Sequence, residues 1–375
     1  MIRGTKIQVK DAGGGAIPKC WVQAFGDGDL IASATLQPGL DRFETSFGCW
    51  VYRRVAGIDV TLGGPLCAPH DRPRMLERFL ARSPRPLLTY LRAPMLEVVQ
   101  TQTRLHCAGI GIDRHVDLQA LLRDPKKPVR GALRRARRVG LRLRELPDSA
   151  RLDPVARAQV TAITARYLAH AAVKVEMSFL NWPMAHDASG LRRVFMLEKF
   201  DAEHRGPFGY AVLNPIFRGG RRSGYLLDIL RFDPTRLWGV WLSCVHALAQ
   251  RLAEEGEELS LGYCPLHAVQ APSRGGSRIL QAQIDWMARN LSTTRYLERL
   301  RTLKGLIPGP SEQRYIASFT RAAPVSIYAF VEAMGVPLLS LVGRPLLEVL
   351  REGRLAQRTP NGAPVTPSSS PGGAA

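Results

Sequence analysis

The sequence predicts a mixed α/β protein built from two packed domains. Three observations carry this reading. The chain has 375 residues, 45% hydrophobic and 22% charged, which is ordinary globular composition at a length that favours two cores over one. Period-2 stretches alternate with helical ones along the chain. Between Gly209 and Tyr263 the elements follow the order strand, turn, strand, helix, strand.

Residues 1–40 are glycine-rich with weak periodicity and read as a flexible lead-in. Trp50 to Thr61 reads as a strand or hairpin, Arg72 to Arg82 as a helix, and Pro86 to Leu91 as a strand. In the next helix Pro128 suits the first turn. Val129, Leu133, Ala136 and Val139 form its apolar stripe, and Gly140 is placed to end it. Leu141 to Leu146 then alternates as a strand. Asp153 is a candidate N-cap, with Pro154 at the first position of a helix running to His170.

Gly209 to Phe217 and Gly224 to Phe232 read as a hairpin around the turn RGGRRS. A helix from Arg236 to Glu255, a strand over Leu259 to Tyr263 and a final helix from Ile279 to Lys304 follow. The domain boundary is expected between Glu176 and Gly190, giving domains 41–185 and 186–330. Val325 to Val342 is nearly long enough to span a bilayer, but Glu332 and Pro337 interrupt it. Residues 331–357 are therefore expected to form an amphipathic helical extension. The Pro/Ser/Gly tail 358–375 is expected to be disordered.

Lysine and arginine total 52 against 32 acids, a formal net charge of +20. That imbalance favours a polyanionic partner, nucleic acid or an anionic lipid surface, over a small neutral substrate. A coding preference for arginine is the bland alternative. The six cysteines show no CxxC spacing and the histidines no ligand-like cluster, so neither a metal site nor a disulfide framework is expected. The N-terminus has no apolar signal core.

Three groups of residues can carry chemistry. Arg130, Arg134 and Arg138 recur at i, i+4, i+8, with Arg137 on the same broad face and Lys126 and Lys127 just before them. Guanidinium groups at that interval can bind successive phosphates; the alternative is a solvated helix face. Asp228 and Arg231 are an acid and a base in an otherwise apolar strand that begins at Tyr225. Burying either alone is costly, so each needs a partner or a cavity. Residues three apart face opposite sides of a regular strand, so one shared site requires a bulge. A structural ion pair, or two separate contacts, is the competing reading. Arg301, Lys304, Arg314 and Tyr315 form a third, weaker basic group.

The hairpin, helix and strand around Asp228 resemble the core of the acetyltransferase-like fold. An acyl-CoA enzyme of that fold needs a glycine-rich phosphate cradle after the return strand. Here that junction reads Arg231-Phe232-Asp233-Pro234-Thr235-Arg236, without glycine. Ser273-Arg274-Gly275-Gly276-Ser277 does precede a helix, but it follows the wrong strand and reads as a surface loop.

Over about residues 46 to 330 the chain resembles the catalytic domain of aminoacyl-phosphatidylglycerol synthases, the phosphatidylglycerol lysyltransferase or multiple peptide resistance factor family. The resemblance rests on the arginine-rich helix followed by Gly140, on Ala211-Val212-Leu213-Asn214-Pro215, and on the Asp228–Arg231 strand with Asp233-Pro234. It also rests on Leu261-Gly262-Tyr263-Cys264-Pro265-Leu266, and on Leu300-Arg301, Lys304 and Arg314-Tyr315. The family implies two tandem acetyltransferase-like (GNAT) domains and no cofactor. It also implies transfer of an amino acid from aminoacyl-tRNA to a hydroxyl of a lipid such as phosphatidylglycerol.

Asp228 and Arg231 match the family's aminoacyl site and are the catalytic candidates: Asp228 is expected to hold the aminoacyl ammonium or act as base, and Arg231 to orient Asp228 or a phosphate of the tRNA end. Lys304 matches a basic position near the tRNA acceptor end. Tyr225, Glu176 and Arg314 are weaker substrate-binding candidates. The expected partners are aminoacyl-tRNA, an anionic phospholipid surface at the cytoplasmic side of the inner membrane, and a separate membrane flippase. The closing motif departs from the family in having Leu306 in place of a second lysine. An acyl-CoA-dependent N-acyltransferase and a non-catalytic RNA- or membrane-binding module remain as alternatives.

Overall fold

The computed structural model describes residues 19–147, 152–171, 173–184, 189–200, 205–233, 239–290 and 294–336. The elements, in chain order, begin with α1 (Lys19–Phe25), β1 (Asp41–Thr45), β2 (Gly48–Val55), β3 (Ile58–Thr61), β4 (Leu66–Cys67), α2 (Arg72–Arg82) and β5 (Pro86–Leu91). Then come α3 (Ala93–Gln102), β6 (His106–His115), α4 (Leu118–Arg123), α5 (Lys127–Arg138), β7 (Leu141–Leu146) and α6 (Pro154–His170). The second half holds β8 (Arg193–Phe200), β9 (Arg205–Arg218), β10 (Arg221–Phe232), α7 (Val240–Glu254) and β11 (Glu258–Pro265). It closes with α8 (Arg278–Asn290), α9 (Thr294–Gly305), β12 (Ser311–Ser318) and α10 (Ala323–Ala333).

The strands form one mixed sheet in the order β1-β2-β3-β5-β12-β6-β11-β10-β9-β8-β7, with β4 beside β2. Two neighbouring pairs are parallel, β3 with β5 and β10 with β11. Each is joined by a crossover containing a helix, α2 or α7, as parallel pairing requires. The last strand, β12, lies between β5 and β6 and so returns to strands of the first half. In turn β7, from within residues 41–185, pairs with β8. A boundary near residue 185 therefore cuts across the pairing, because periodicity identifies a strand without identifying its neighbour.

The expected flexible lead-in is corrected over its described part. Trp21, Val22, Leu30 and Ile31 are buried, and Gly28 N donates to Phe217 O at 2.6 Å. Ser33 Oγ donates to Pro215 O at 2.7 Å and Gln37 Nε2 to Phe179 O at 2.7 Å. The segment lies along β9; its apolar side chains follow no single period and are interrupted by glycines and polar residues, so periodicity does not reveal them. Residues 1–18 and the tail 358–375 lie outside the described residues, as does the expected extension 331–357 beyond Val336. Residues 323–333 form the helix α10, whose Ala329, Phe330 and Ala333 are buried in the core.

The helix expected from Arg236 starts at Val240, after Gly239 in the left-handed conformation (φ 84°). Over the single helix expected at 279–304, the described residues form α8 and α9, and residues 291–293 between them lie outside the described residues.

Candidate active site

Strand β10 is the element that brings the expected acid and base to one face. Its pairing with β9 slips between Leu227 and Ile229, so Asp228 is an extra, bulged residue. After the slip, Ile229 packs with Tyr210 and Val212, and Arg231 points to the same side, towards α6. Tyr225 and Leu227 pack instead with Val240, Leu248 and Val129 of the α5–α7 layer. The bulge needed for a common face is present.

The two residues nevertheless do not pair with each other. Asp228 receives hydrogen bonds from Trp182 N, from Asn181 Nδ2 and from the Arg192 guanidinium, each at 3.1 Å. The Arg192 and Asp228 side chains are 0% and 1% exposed, so this carboxylate is closed to solvent. Arg192 also donates from Nε to Asn214 Oδ1 and from Nη2 to Trp182 O, both at 2.7 Å, and lies over the Trp182 ring. Burial pushes the Asp228 carboxyl above its ordinary range; Arg192 and the Trp182 amide oppose that.

Arg231 donates to Glu176 Oε1 at 2.6 Å, and to Tyr210 OH and Thr164 Oγ1 at 3.2 Å each. Burial works against its charge, but Tyr210 and Glu176 outweigh that and hold the guanidinium above its usual value. Glu176 keeps 30% of its side chain exposed against 10% for Arg231, so the pair opens outward through the carboxylate. Both anchors grip one connecting segment: Asp228 holds Asn181 and Trp182, and Arg231 holds Glu176.

The remaining candidates are placed apart. Tyr225 is on the opposite face of β10, under the guanidinium groups of Arg193 and Arg222 at 5.2 Å. It therefore does not share the face of Arg231, since it precedes the bulged residue by an odd number of residues. Lys304 is buried and donates to Leu261 O at 2.7 Å and Tyr263 O at 2.8 Å. It fastens α9 to the end of β11, and burial holds its ammonium below the usual lysine value.

Arg314 is wholly buried, paired with Asp113 at 2.5 Å and with Glu312 at 3.2 Å. Asp113 also accepts from Tyr90 OH, and the Arg314 guanidinium lies 4.9 Å from the Tyr90 ring centre. Two strands, β6 and β11, separate Arg314 from β10. Arg314 therefore belongs to a second buried polar cluster, not to the Glu176–Arg231 opening.

Helix α5 buries Val129, Ala132 and Ala136 and exposes Arg130, Arg134, Arg137 and Arg138. Arg130 reaches Asp124 at 3.4 Å and Pro125 O at 2.9 Å, and Lys126 donates to Gly305 O at 3.0 Å. Among the described residues Lys127, Arg134, Arg137 and Arg138 have no ion-pair partner.

A family model described as phosphatidylglycerol lysyltransferase, C-terminal, matches residues 22–317. The chain belongs to this family. No curated protein sequence matches it significantly. Among solved structures, it is similar to L-PGS from Bacillus licheniformis, with a TM-score of 0.70 at 15% identity, covering 88% of this chain and 100% of that one. It is also similar to the C-terminal domain of a candidate lysylphosphatidylglycerol synthetase from Agrobacterium fabrum, with a TM-score of 0.66 at 16% identity, covering 87% and 98%. A conserved protein of unknown function from Bacteroides thetaiotaomicron matches at a TM-score of 0.50 and 9% identity, covering 81% and 93%. At these identities the structures establish a shared fold.

Within the family match lie several residues that spacing did not single out. Arg192, Asn181 and Asn214 surround Asp228, and Tyr90 and Asp113 surround Arg314. Arg192 immediately precedes the strand Arg193–Phe200, a position where an arginine is unremarkable. The one usable signal was indirect: a buried Asp in a strand demands a cation, and the nearest one in β10, Arg231, is engaged by Glu176.

Proposed function

We propose that this chain transfers an aminoacyl group from aminoacyl-tRNA to a hydroxyl of a membrane lipid such as phosphatidylglycerol. Membership of the family supports the reaction class. The observation that carries the site is the Glu176–Arg231 pair, a fixed carboxylate whose exposed side can accept an ammonium group. In this reading the chain comprises two acetyltransferase-like halves sharing one sheet.

The aminoacyl ester is already activated. The lipid oxygen attacks its carbonyl carbon, the bond to the tRNA terminal ribose oxygen breaks, and the proton of the lipid hydroxyl ends on that ribose oxygen. The protein has to align and desolvate the two reactants. Glu176 holds the aminoacyl ammonium, and Arg231 fixes Glu176. Asp228 is a positioning residue that holds the 181–182 backbone through Asn181 and Trp182. Arg130, Arg134, Arg137, Arg138, Lys126 and Lys127 take tRNA phosphates. The lipid comes from an anionic bilayer on the cytoplasmic side, and a separate flippase carries the product onward.

The test is a reconstitution with aminoacyl-tRNA and phosphatidylglycerol vesicles, followed by lipid extraction. A new ninhydrin-positive lipid is expected. Glu176→Gln keeps the contact to Arg231 but loses the charge, so turnover should fall about ten- to a hundredfold, as for a charge-assisted contact of ~1.5–3 kcal/mol. No aminoacyl lipid across a panel of aminoacyl-tRNAs would remove the reaction. Wild-type turnover in Glu176→Gln would remove this residue from it.

A further inference from the structure

We propose that α8 and the start of α10 form the face that docks on an anionic bilayer, with an arginine-lined cavity at the start of α8 receiving a lipid headgroup. The proposal rests on the lipid-modifying reading above and adds where the protein meets the bilayer: the headgroup in this cavity belongs to a docking lipid, not to the acceptor lipid that reacts.

The cavity has a volume of about 420 Å³, and its lining includes Arg104, His106, Gly275, Ser277, Arg278 and Arg321. Among the described residues no carboxylate lines it. Among the described residues none of the three arginines has an ion-pair partner. The loop Gly275–Ser277 is built, not loose. Ser277 N donates to Cys107 O at 2.8 Å, Gly276 bridges Cys107, and Gly275 takes a left-handed φ of 61°. The sequence motif around Gly275 and Gly276 is thus pinned to β6 and opens a cationic hollow.

The rim of this hollow is apolar. Four large hydrophobic side chains are markedly exposed among the described residues, and three of them lie on α8 and the start of α10: Ile279 at 52%, Trp286 at 59% and Val325 at 41%. Ile279 itself lines the cavity. Trp286 follows it by seven residues, two turns along the same side of α8. Gln283, between them, accepts a hydrogen bond from Ala323 N at 2.8 Å, which joins this side of α8 to the start of α10, two residues before Val325. Arg321, also in the cavity, lies two residues before Ala323.

Of the acids nearby, Asp285 is engaged by Gln281 at 3.1 Å, and Glu332 bounds the far side, two turns beyond Val325. Aliphatic and tryptophan side chains beside uncompensated arginines match the boundary of an anionic membrane, where apolar groups enter the acyl region and cations meet headgroups. RNA has no use for exposed isoleucine and valine.

Vesicle sedimentation tests this without aminoacyl-tRNA. Wild-type protein should bind phosphatidylglycerol/phosphatidylcholine vesicles well and pure phosphatidylcholine vesicles weakly. Arg278→Gln with Arg321→Gln should lower partitioning to the anionic vesicles about 25-fold at low salt, at roughly fivefold per cation. Ile279→Ser with Trp286→Ser should weaken binding to both vesicle types. Transfer to detergent-dispersed phosphatidylglycerol should persist in both pairs.

Unchanged sedimentation of both pairs would overturn the docking face. Loss of tRNA affinity in place of vesicle binding would make it an RNA surface and overturn the proposal equally. Loss of transfer to dispersed lipid would place these residues in the reaction site, with the same consequence. If wild-type protein transfers nothing while the variants still lose vesicle binding, the transferase reading fails and the docking face stands.

Discussion

Arg192 and Asp228 are buried together at 0% and 1% exposure, and each completes the other's charge. Removing one leaves a bare ion in the core, which costs ~3–5 kcal/mol, whereas replacing both with apolar groups of similar size costs far less. Asp228→Ala should therefore lower unfolding free energy by about that amount in urea titration, and Arg192→Met with Asp228→Leu should recover much of it. A single Asp228→Ala variant within 1 kcal/mol of wild type would show that the pair does not hold the segment at 181–182. Much of this was legible: an acid in an apolar strand had to be paired or line a cavity, and a shared face with Arg231 required a bulge. The partner was not, because Arg192 lies 36 residues away in sequence and reaches Asp228 only through the fold.

At the scale of elements, the local signals carried far where caps and turns were chemically explicit. Arg72–Arg82, Pro86–Leu91, Leu141–Leu146 and Pro154–His170 occur at the positions their sequences predict. In α6 the reason is visible: Asp153 Oδ1 accepts from Ala156 N at 2.7 Å, and proline follows at the first helical position. Asp153→Ala should therefore cost about 1 kcal/mol, read as a drop in melting temperature, while Asp153→Ser should be nearly neutral. A melting temperature unchanged in Asp153→Ala would mean α6 is held by packing alone. What local signals missed was long-range. The lead-in acquires its structure from Phe217, Pro215 and Phe179, and β12 acquires its neighbours from strands some 200 residues earlier. No window of the sequence contains both partners of such contacts.

Across the whole molecule, a net charge of +20 is divided among surfaces with different companions. Basic residues facing acids, such as Arg193 with Glu145 and Glu255, are compensated within the protein. The outer face of α5 is not: Arg134, Arg137 and Arg138 are exposed without an ion partner among the described residues. Arg130 is partly engaged with Asp124 and Pro125. Of these four arginines, three offer open guanidinium groups among the described residues and one is shared. If tRNA lies along it, each lost phosphate contact flattens the dependence of log K on log salt by about 0.7 for single strands and 0.9 for duplex. Arg134→Glu with Arg138→Glu should then reduce the slope by about 1.4 to 1.8 units, and Arg130→Glu alone by less than one.

Turnover at saturating tRNA should change little in these variants, because the residues position the tRNA and do not touch the reacting carbonyl. The melting temperature should hold, since Val129, Ala132 and Ala136 on the opposite side of α5 keep the helix seated on its core. An unchanged salt slope for tRNA, with vesicle binding weakened instead, would assign α5 to the membrane. That result would leave the tRNA to another surface.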